Sequence, residues 1–214
     1  MLSNLTTEER RIFCVLTTPI KIQNFLERIP INFEVGGETC RSPRRVIRDR
    51  TAHCMEGALF AAMALWFHGE RPLLLDLRAT KNDDDHVVSL FRRGGCWGAI
   101  SKTNHAVLRY REPVYRSVRE LAMSYFHEYF VDSGRKTLRD FSHPFDLRPF
   151  ANRGWMTAEE DLWYLCKALD DSPHDDVMPP GFARALRKAD RIEIDAGKLT
   201  QWPHPSKAHH THAL

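Results

Sequence analysis

Residues 51–68 read TAHCMEGALFAAMALWFH, and this stretch decides how the rest of the chain is read. After Glu56, small and apolar residues occupy every face of a helical projection. A helix with no polar stripe is buried on all sides, so it belongs at the centre of the fold. Gly69 stands where a left-handed residue would end it. With Thr51 as the cap, Cys54 falls in the first turn, where unpaired N–H groups and the helix dipole favour negative charge. Such a position lowers a thiol pKa below its free value of about 8.5 and puts more nucleophilic thiolate in solution at neutral pH. The N–H of Cys54 then points to where an oxyanion would form during acyl transfer. Most free cysteines are simply small core residues. Cys54 therefore gains its weight from the order of residues downstream.

After Gly69 the hydrophobic period changes from helical to alternating. Leu73–Leu77, His86–Arg92 (HVVSLFR), Cys96–Ser101 and Ala106–Arg111 read as strands of one largely antiparallel sheet. The middle two form a hairpin about Gly94-Gly95. Upstream, Thr6 and Glu9 have capping-box spacing. Thr18-Pro19 opens a second helix with the stripe Ile22, Phe25, Leu26 and Ile29, stopped by Pro30, and a short helix follows Pro43. Downstream, Ser117 and Glu120 cap a helix whose buried stripe is Val118, Leu121, Ala122, Tyr125, Phe126, Tyr129 and Phe130, with Gly134 as the stop. Thr157 with Glu160 opens another helix bearing Leu162, Trp163, Leu165, Cys166 and Leu169, and Arg191–Asp195 reads as a closing strand. The expectation is one α+β domain over residues 1–200, a buried central helix on a small antiparallel sheet with added N- and C-terminal helices. Residues 201–214, rich in Pro and His, are expected to be disordered.

A cysteine opening a buried helix, a Gly69–Pro72 turn, an aliphatic strand, a histidine opening the next strand, then a Gly-rich turn and Trp97 form a recognisable order. It resembles the transglutaminase-like branch of the papain-like cysteine enzymes, over roughly Thr51 to Asn104. The resemblance implies a papain-like fold with Cys54 as nucleophile, His86 as its base, and a third residue on the next strand that orients the histidine. The family's aspartate commonly lies four residues after a tryptophan on that strand, and here that position is Ser101. Asn104 comes three residues later, and asparagine is the orienting residue of the papain branch. Turn length separates the two. A two-residue Gly94-Gly95 loop places Ser101 on the side of His86, whereas a three-residue loop brings Asn104 opposite it. On chemistry Asn104 is favoured, because a serine hydroxyl is the weaker orienter.

The sequence supports three functional readings. The first is a cysteine-dependent acyl-transfer enzyme, hydrolysing an amide or peptide or passing its acyl group to an amine as transglutaminases do. Its partner would be a peptide, a protein or a small amide. The second is a binding module of the same fold with a degenerate triad, and the third is a scaffold in which Cys54 is only core. Other groups carry less. His53 adjoins Cys54, but neighbours on a helix point about 100° apart. Cys14 and Cys166 fall on apolar helix faces, and Asp83-Asp84-Asp85 reads as a solvated turn. His204, His209, His210 and His212 belong to the polar tail.

Composition limits the alternatives. The chain has 214 residues, 43% hydrophobic and 28% charged, which suits a folded domain with a real core. A net charge of +3 argues against nucleic acid as the main partner, despite Arg41, Arg44, Arg45, Arg48 and Arg50. These arginines read as a solvated face balanced by acids, or as one wall of a cleft for a carboxylate. The longest apolar run is too short to span a membrane, and the acidic start is unlike a secretory signal, so a cytoplasmic protein is expected. Five cysteines without a CxxC form neither a disulfide framework nor a zinc site, and no cofactor or metal is expected.

Overall fold

The first third of the chain is helical, and most of its helix starts are set by side-chain caps. In the computed structural model, which describes residues 4–205, Thr6 and Glu9 exchange the two bonds of a capping box and open α1 (Thr7–Val15). Thr18 Oγ1 accepts the Lys21 N–H and opens α2 (Pro19–Arg28). Ser42 does the same for α3 (Pro43–Asp49) through the Arg45 N–H. In α4 (Cys54–Phe67) every residue from Met55 to Leu65 is buried. Its cap is His53 rather than Thr51, whose hydroxyl accepts a hydrogen bond from Arg41 Nη1 at 2.9 Å.

The period-2 segments then build an antiparallel sheet from β1 (Leu73–Arg78), β2 (His86–Arg93), β3 (Cys96–Ile100) and β4 (Arg111–Tyr115). Helix α5 (Val118–Tyr125) follows, then the short strands β5 (Asp140–Ser142) and β6 (Phe145–Asp146), helix α6 (Trp163–Asp170), strand β7 (His174–Asp176) and helix α7 (Arg191–Gly197). Strand order is β4-β3-β2-β1-β5-β7, with β6 also paired to β1. Both faces of the sheet are covered. Leu74, Val87, Phe91 and Ile100 pack with α4, whereas Leu75, Val88, Leu90 and Ala99 pack with Leu121, Ala122 and Tyr125 of α5. The alternation along the strands divides the two cores.

Two close fits position the site. Gly94 and Gly95 both have positive φ, 57° and 82°, and pair Arg93 with Cys96 across a two-residue turn. Turns of this hand match the right-handed twist of the strands. Lys102, buried beyond the end of β3, sends Nζ to the Leu26 and Ile29 carbonyls at 2.9 and 2.6 Å and closes the C-terminus of α2. A methyl group on Gly57 would overlap Lys102 Cβ, so glycine lets α4 pass against it.

Several sequence expectations are corrected. The fourth strand is Arg111–Tyr115 rather than Ala106–Arg111, because residues 104–106 pair with residues 199–202 instead of with the sheet. Helix α5 ends at Tyr125 and continues only as a 3-10 turn over Phe126–Glu128. Thr157 and Glu160 open no helix; α6 begins at Trp163, after Leu162 donates its N–H to the Cys40 carbonyl. Arg191–Asp195 belongs to a helix, started by the Asp190–Glu193 capping box. Cys14 is exposed rather than core, and Cys166 is half-buried. Gln201 and Trp202 are held against Asn104 rather than disordered. His209, His210 and His212 lie outside the described residues. No described helix is long and apolar enough to cross a membrane.

Candidate active site

Cys54 is the first residue of α4, half-buried at its N-terminus. The helix geometry leaves its own N–H without an intrahelical acceptor. Its Sγ lies 4.0 Å from the Asp85 carbonyl, at the turn that leads into β2. The thiol thus sits at the end of the sheet where His86 begins its strand.

His86 is buried, and its Nε2 lies 2.8 Å from Ser101 Oγ. The two-residue turn sets this pairing, so Ser101 and not Asn104 is the residue beside the imidazole. The hydroxyl of Ser101 donates its single proton to the Leu108 carbonyl at 2.6 Å. Its oxygen can therefore only accept from His86, so Nε2 carries a ring hydrogen and, in the neutral ring, Nδ1 is bare. A bare Nδ1 is what accepting a thiol proton requires. Gln23 fixes the serine in turn. Its amide oxygen accepts the Ser101 N–H at 2.9 Å, and its amide nitrogen donates to the Ser101 carbonyl at 2.8 Å. Leu108 has φ of 59°, an uncommon conformation for a branched side chain, held in part by donation of its N–H to Glu128 at 2.6 Å.

His53 overturns its sequence reading. It is the cap of α4, with extended backbone (φ −93°, ψ −172°), so the angular separation of helix neighbours does not apply to it. Its Nε2 lies 2.9 Å from the Thr39 carbonyl, 3.4 Å from Glu56 and 3.6 Å from Glu34. All three partners only accept, so Nε2 carries a hydrogen and Nδ1 is left for Cys54. Glu56 is fully buried but well supplied with donors. It receives hydrogen bonds from the His53 and Arg41 N–H groups, the Thr39 hydroxyl and the Asn32 amide.

These contacts set the charges. Burial pushes the Cys54 thiol up, but hydrogen bonds and charge from the rings of His53 and His86 outweigh it and hold the thiol well below the ordinary range. Burial pushes the His53 ring down, while the Cys54 sulfur, Glu56 and the Thr39 carbonyl raise it to about 10. The result is a thiol that ionises readily beside His53, with His86 placed to take its proton. Farther back, burial and the charges of Asp85 and Cys54 push Asp76 up to about 8. Its Oδ1 is buried without a partner, and its Oδ2 lies 3.4 Å from His174 Nε2.

The pair opens on a cleft of about 1010 Å³, lined among others by His53, Cys54, His86, Lys102, Tyr129 and Trp202. Asn104 also lines it but is committed elsewhere: its Nδ2 donates to the Trp202 carbonyl at 3.0 Å and its Oδ1 accepts the Trp202 N–H at 2.8 Å. It holds residues 201–202 along the cleft instead of orienting His86. The Asp83–Asp85 turn is built rather than merely solvated, since Asp83 accepts from Thr137 and Asp85 accepts the Ala79 N–H at 2.7 Å. The five arginines form no wall of the cleft. Arg41, Arg44, Arg45 and Arg48 pair with Glu56, Glu9, Asp161 and Glu159, and Arg50 lies over the Phe25 ring. Among the described residues no cluster of His, Cys, Asp or Glu could hold a metal ion. A scan against models of protein families and a search of curated proteins find no match.

Proposed function

We propose that this chain is a cysteine-dependent acyl-transfer enzyme of the transglutaminase-like, papain-type class, acting on an amide or ester carbonyl. One observation carries the reading: a thiol at the first position of a buried helix beside His53 and His86, whose Nε2 atoms are held by the Thr39 carbonyl and the Ser101 hydroxyl so that each Nδ1 is left for the sulfur. His86 Nδ1 takes the Cys54 proton and Sγ attacks the carbonyl carbon. The carbonyl electron pair moves to oxygen, where the Cys54 N–H is placed to receive it. As the tetrahedral species collapses, the C–N or C–O bond breaks and His86 returns the proton to the leaving nitrogen or oxygen. The thioester then passes its acyl group to water or an amine, with His86 again taking the proton of the attacking group. His53 stays protonated throughout and stabilises the sulfur anion.

A catalytically silent binding module is the second reading, favoured by the uncharged third residue, Ser101. An activated p-nitrophenyl ester separates the two. The enzyme reading expects a burst of one p-nitrophenolate per chain and an acyl adduct on Cys54 in the intact-mass spectrum. His86→Ala should suppress both. Absence of an adduct while Cys54 still alkylates rapidly would leave the binding module.

A further inference from the structure

Cys40 and Cys166 are 126 residues apart in sequence, yet their Sγ atoms lie 2.9 Å apart. Cys40 is fully buried in the segment before α3, and Cys166 is half-buried on α6. The backbones around them are already tied. The Cys40 N–H donates to Asp161 at 3.0 Å, and its carbonyl accepts the Leu162 N–H at 2.8 Å. Little motion separates this arrangement from a covalent bond of about 2.05 Å. We propose that Cys40 and Cys166 form a redox-modification site, a dithiol that a hydroperoxide converts reversibly to a disulfide joining residues 39–41 to α6.

The two thiols are unequal in a way that suits the chemistry. Cys166 is the accessible one, and the hydrogen bond with Cys40 holds it below the ordinary thiol range. The same bond, with burial, pushes Cys40 up. Cys166 thiolate attacks a peroxide oxygen, the O–O bond breaks, and the leaving oxygen departs as hydroxide and takes a proton to become water. The resulting Cys166 sulfenic acid is attacked at sulfur by Cys40, which gives up its proton as the second hydroxide leaves and becomes water. Two thiols lose two electrons and two protons, and hydrogen peroxide becomes two waters. The site matters for its neighbours: the Thr39 carbonyl holds His53 and the Arg41 N–H holds Glu56. A Cys40–Cys166 bond would therefore fasten the backing of the thiolate pair.

The test treats the full chain with hydrogen peroxide, unfolds it in N-ethylmaleimide, and maps peptides by non-reducing mass spectrometry. The expected product is a linked Cys40–Cys166 peptide pair, removed by dithiothreitol, with a rise in Tm of about 5–10 °C in the oxidised protein. Cys54→Ser should give the same pair, because the reaction needs no acyl-transfer chemistry, and Cys166→Ser should give neither pair nor rise. The proposal is overturned if Cys166 proceeds to the sulfinic acid while Cys40 still takes maleimide. It is equally overturned if both remain thiols while Cys54 oxidises.

Discussion

Replacing His53 with glutamine tests whether the thiolate leans on one ring or on two. Glutamine retains an N–H donor for the Thr39 carbonyl, and Glu56 keeps its donors from Arg41, Thr39 and Asn32, so the loss is confined to the charge beside Cys54. A hydrogen bond to a charged group is worth about 1.5–3 kcal/mol, which is about 1–2 pKa units. The midpoint of Cys54 alkylation should therefore rise by about 1–2 units in His53→Gln. The thiolate fraction below both midpoints falls about 10–100-fold, but a more basic thiolate is also more nucleophilic, with a Brønsted slope of about 0.4–0.5. Iodoacetamide should thus react about 3–10-fold more slowly with the variant at low pH, and about 3–10-fold faster once both proteins are fully ionised. The crossing of the two pH–rate curves is the signature. A second readout comes from linkage. The folded pKa of His53 is raised to about 10, so its stabilisation is complete below the unfolded value of about 6.5 and is lost as pH rises through 10. His53→Gln should flatten that alkaline limb. If His53→Gln leaves the alkylation midpoint in place while His86→Ala moves it, His53 is no partner of the thiolate and the two-ring argument fails.

Ser101→Ala should slow Cys54 alkylation about 10-fold near neutrality by releasing the His86 tautomer. Asn104→Ala should leave the alkylation profile unchanged and instead increase proteolytic cleavage near residue 201; the reverse pattern would return the orienting role to Asn104. Asp76→Asn should raise Tm more at pH 8 than at pH 4. The folded carboxyl keeps its proton to about 8 while the unfolded one loses it near 3.8, so between those values rising pH destabilises the wild type, on the order of a few kcal/mol at most. Equal shifts at the two pH values in thermal scans would remove the buried-acid explanation. Gly57→Ala should cost about 1–3 kcal/mol in denaturant titration by pushing α4 off Lys102, and an unchanged midpoint would contradict the close fit.

The parts of the fold that were legible in the sequence are those fixed by local chemistry. Thr6 and Ser117 cap the helices that their spacing announced, and Thr18 the one marked by Pro19, because the bond spans only three residues. The apolar run after Glu56 could be nothing but a buried helix. Gly94-Gly95 also carried the register, and with it Ser101. Preferring Asn104 set a residue's chemical suitability above the turn, and a one-residue shift would have turned the whole strand over. What could not be read depended on distant partners. Residues 104–106 leave the sheet because Leu199 and Gln201 pair with them, and Cys40 meets Cys166 only through tertiary packing. His53 was legible in principle. Glu56 lies three residues on, which is the capping-box spacing, and it marks His53 as a cap rather than a helix residue.

The substitution of serine for the resemblance's aspartate looks like a loss of function until the two tasks of that carboxylate are separated. One is geometric, to hold the imidazole N–H so that the other nitrogen is bare. Ser101 does this without charge, because its only proton is spent on the Leu108 carbonyl and its backbone is gripped by Gln23. The other task is electrostatic, to stabilise positive charge beside the thiolate. Here the buried carboxylate, Glu56, stands behind His53 instead of behind His86. On the acyl-transfer reading, the positive charge that supports the thiolate and the base that moves the proton reside on different histidines. Such a division has a kinetic consequence. Moving the charge back, in Ser101→Asp, should raise the basicity of His86 and shift the acid limb of the ester-burst profile to higher pH, by about one unit for a close carboxylate. The alkylation midpoint of Cys54, set largely by His53, should move by less. Equal movement of both limbs would mean that His86 carries the charge as well as the proton, and that His53 is only a cap.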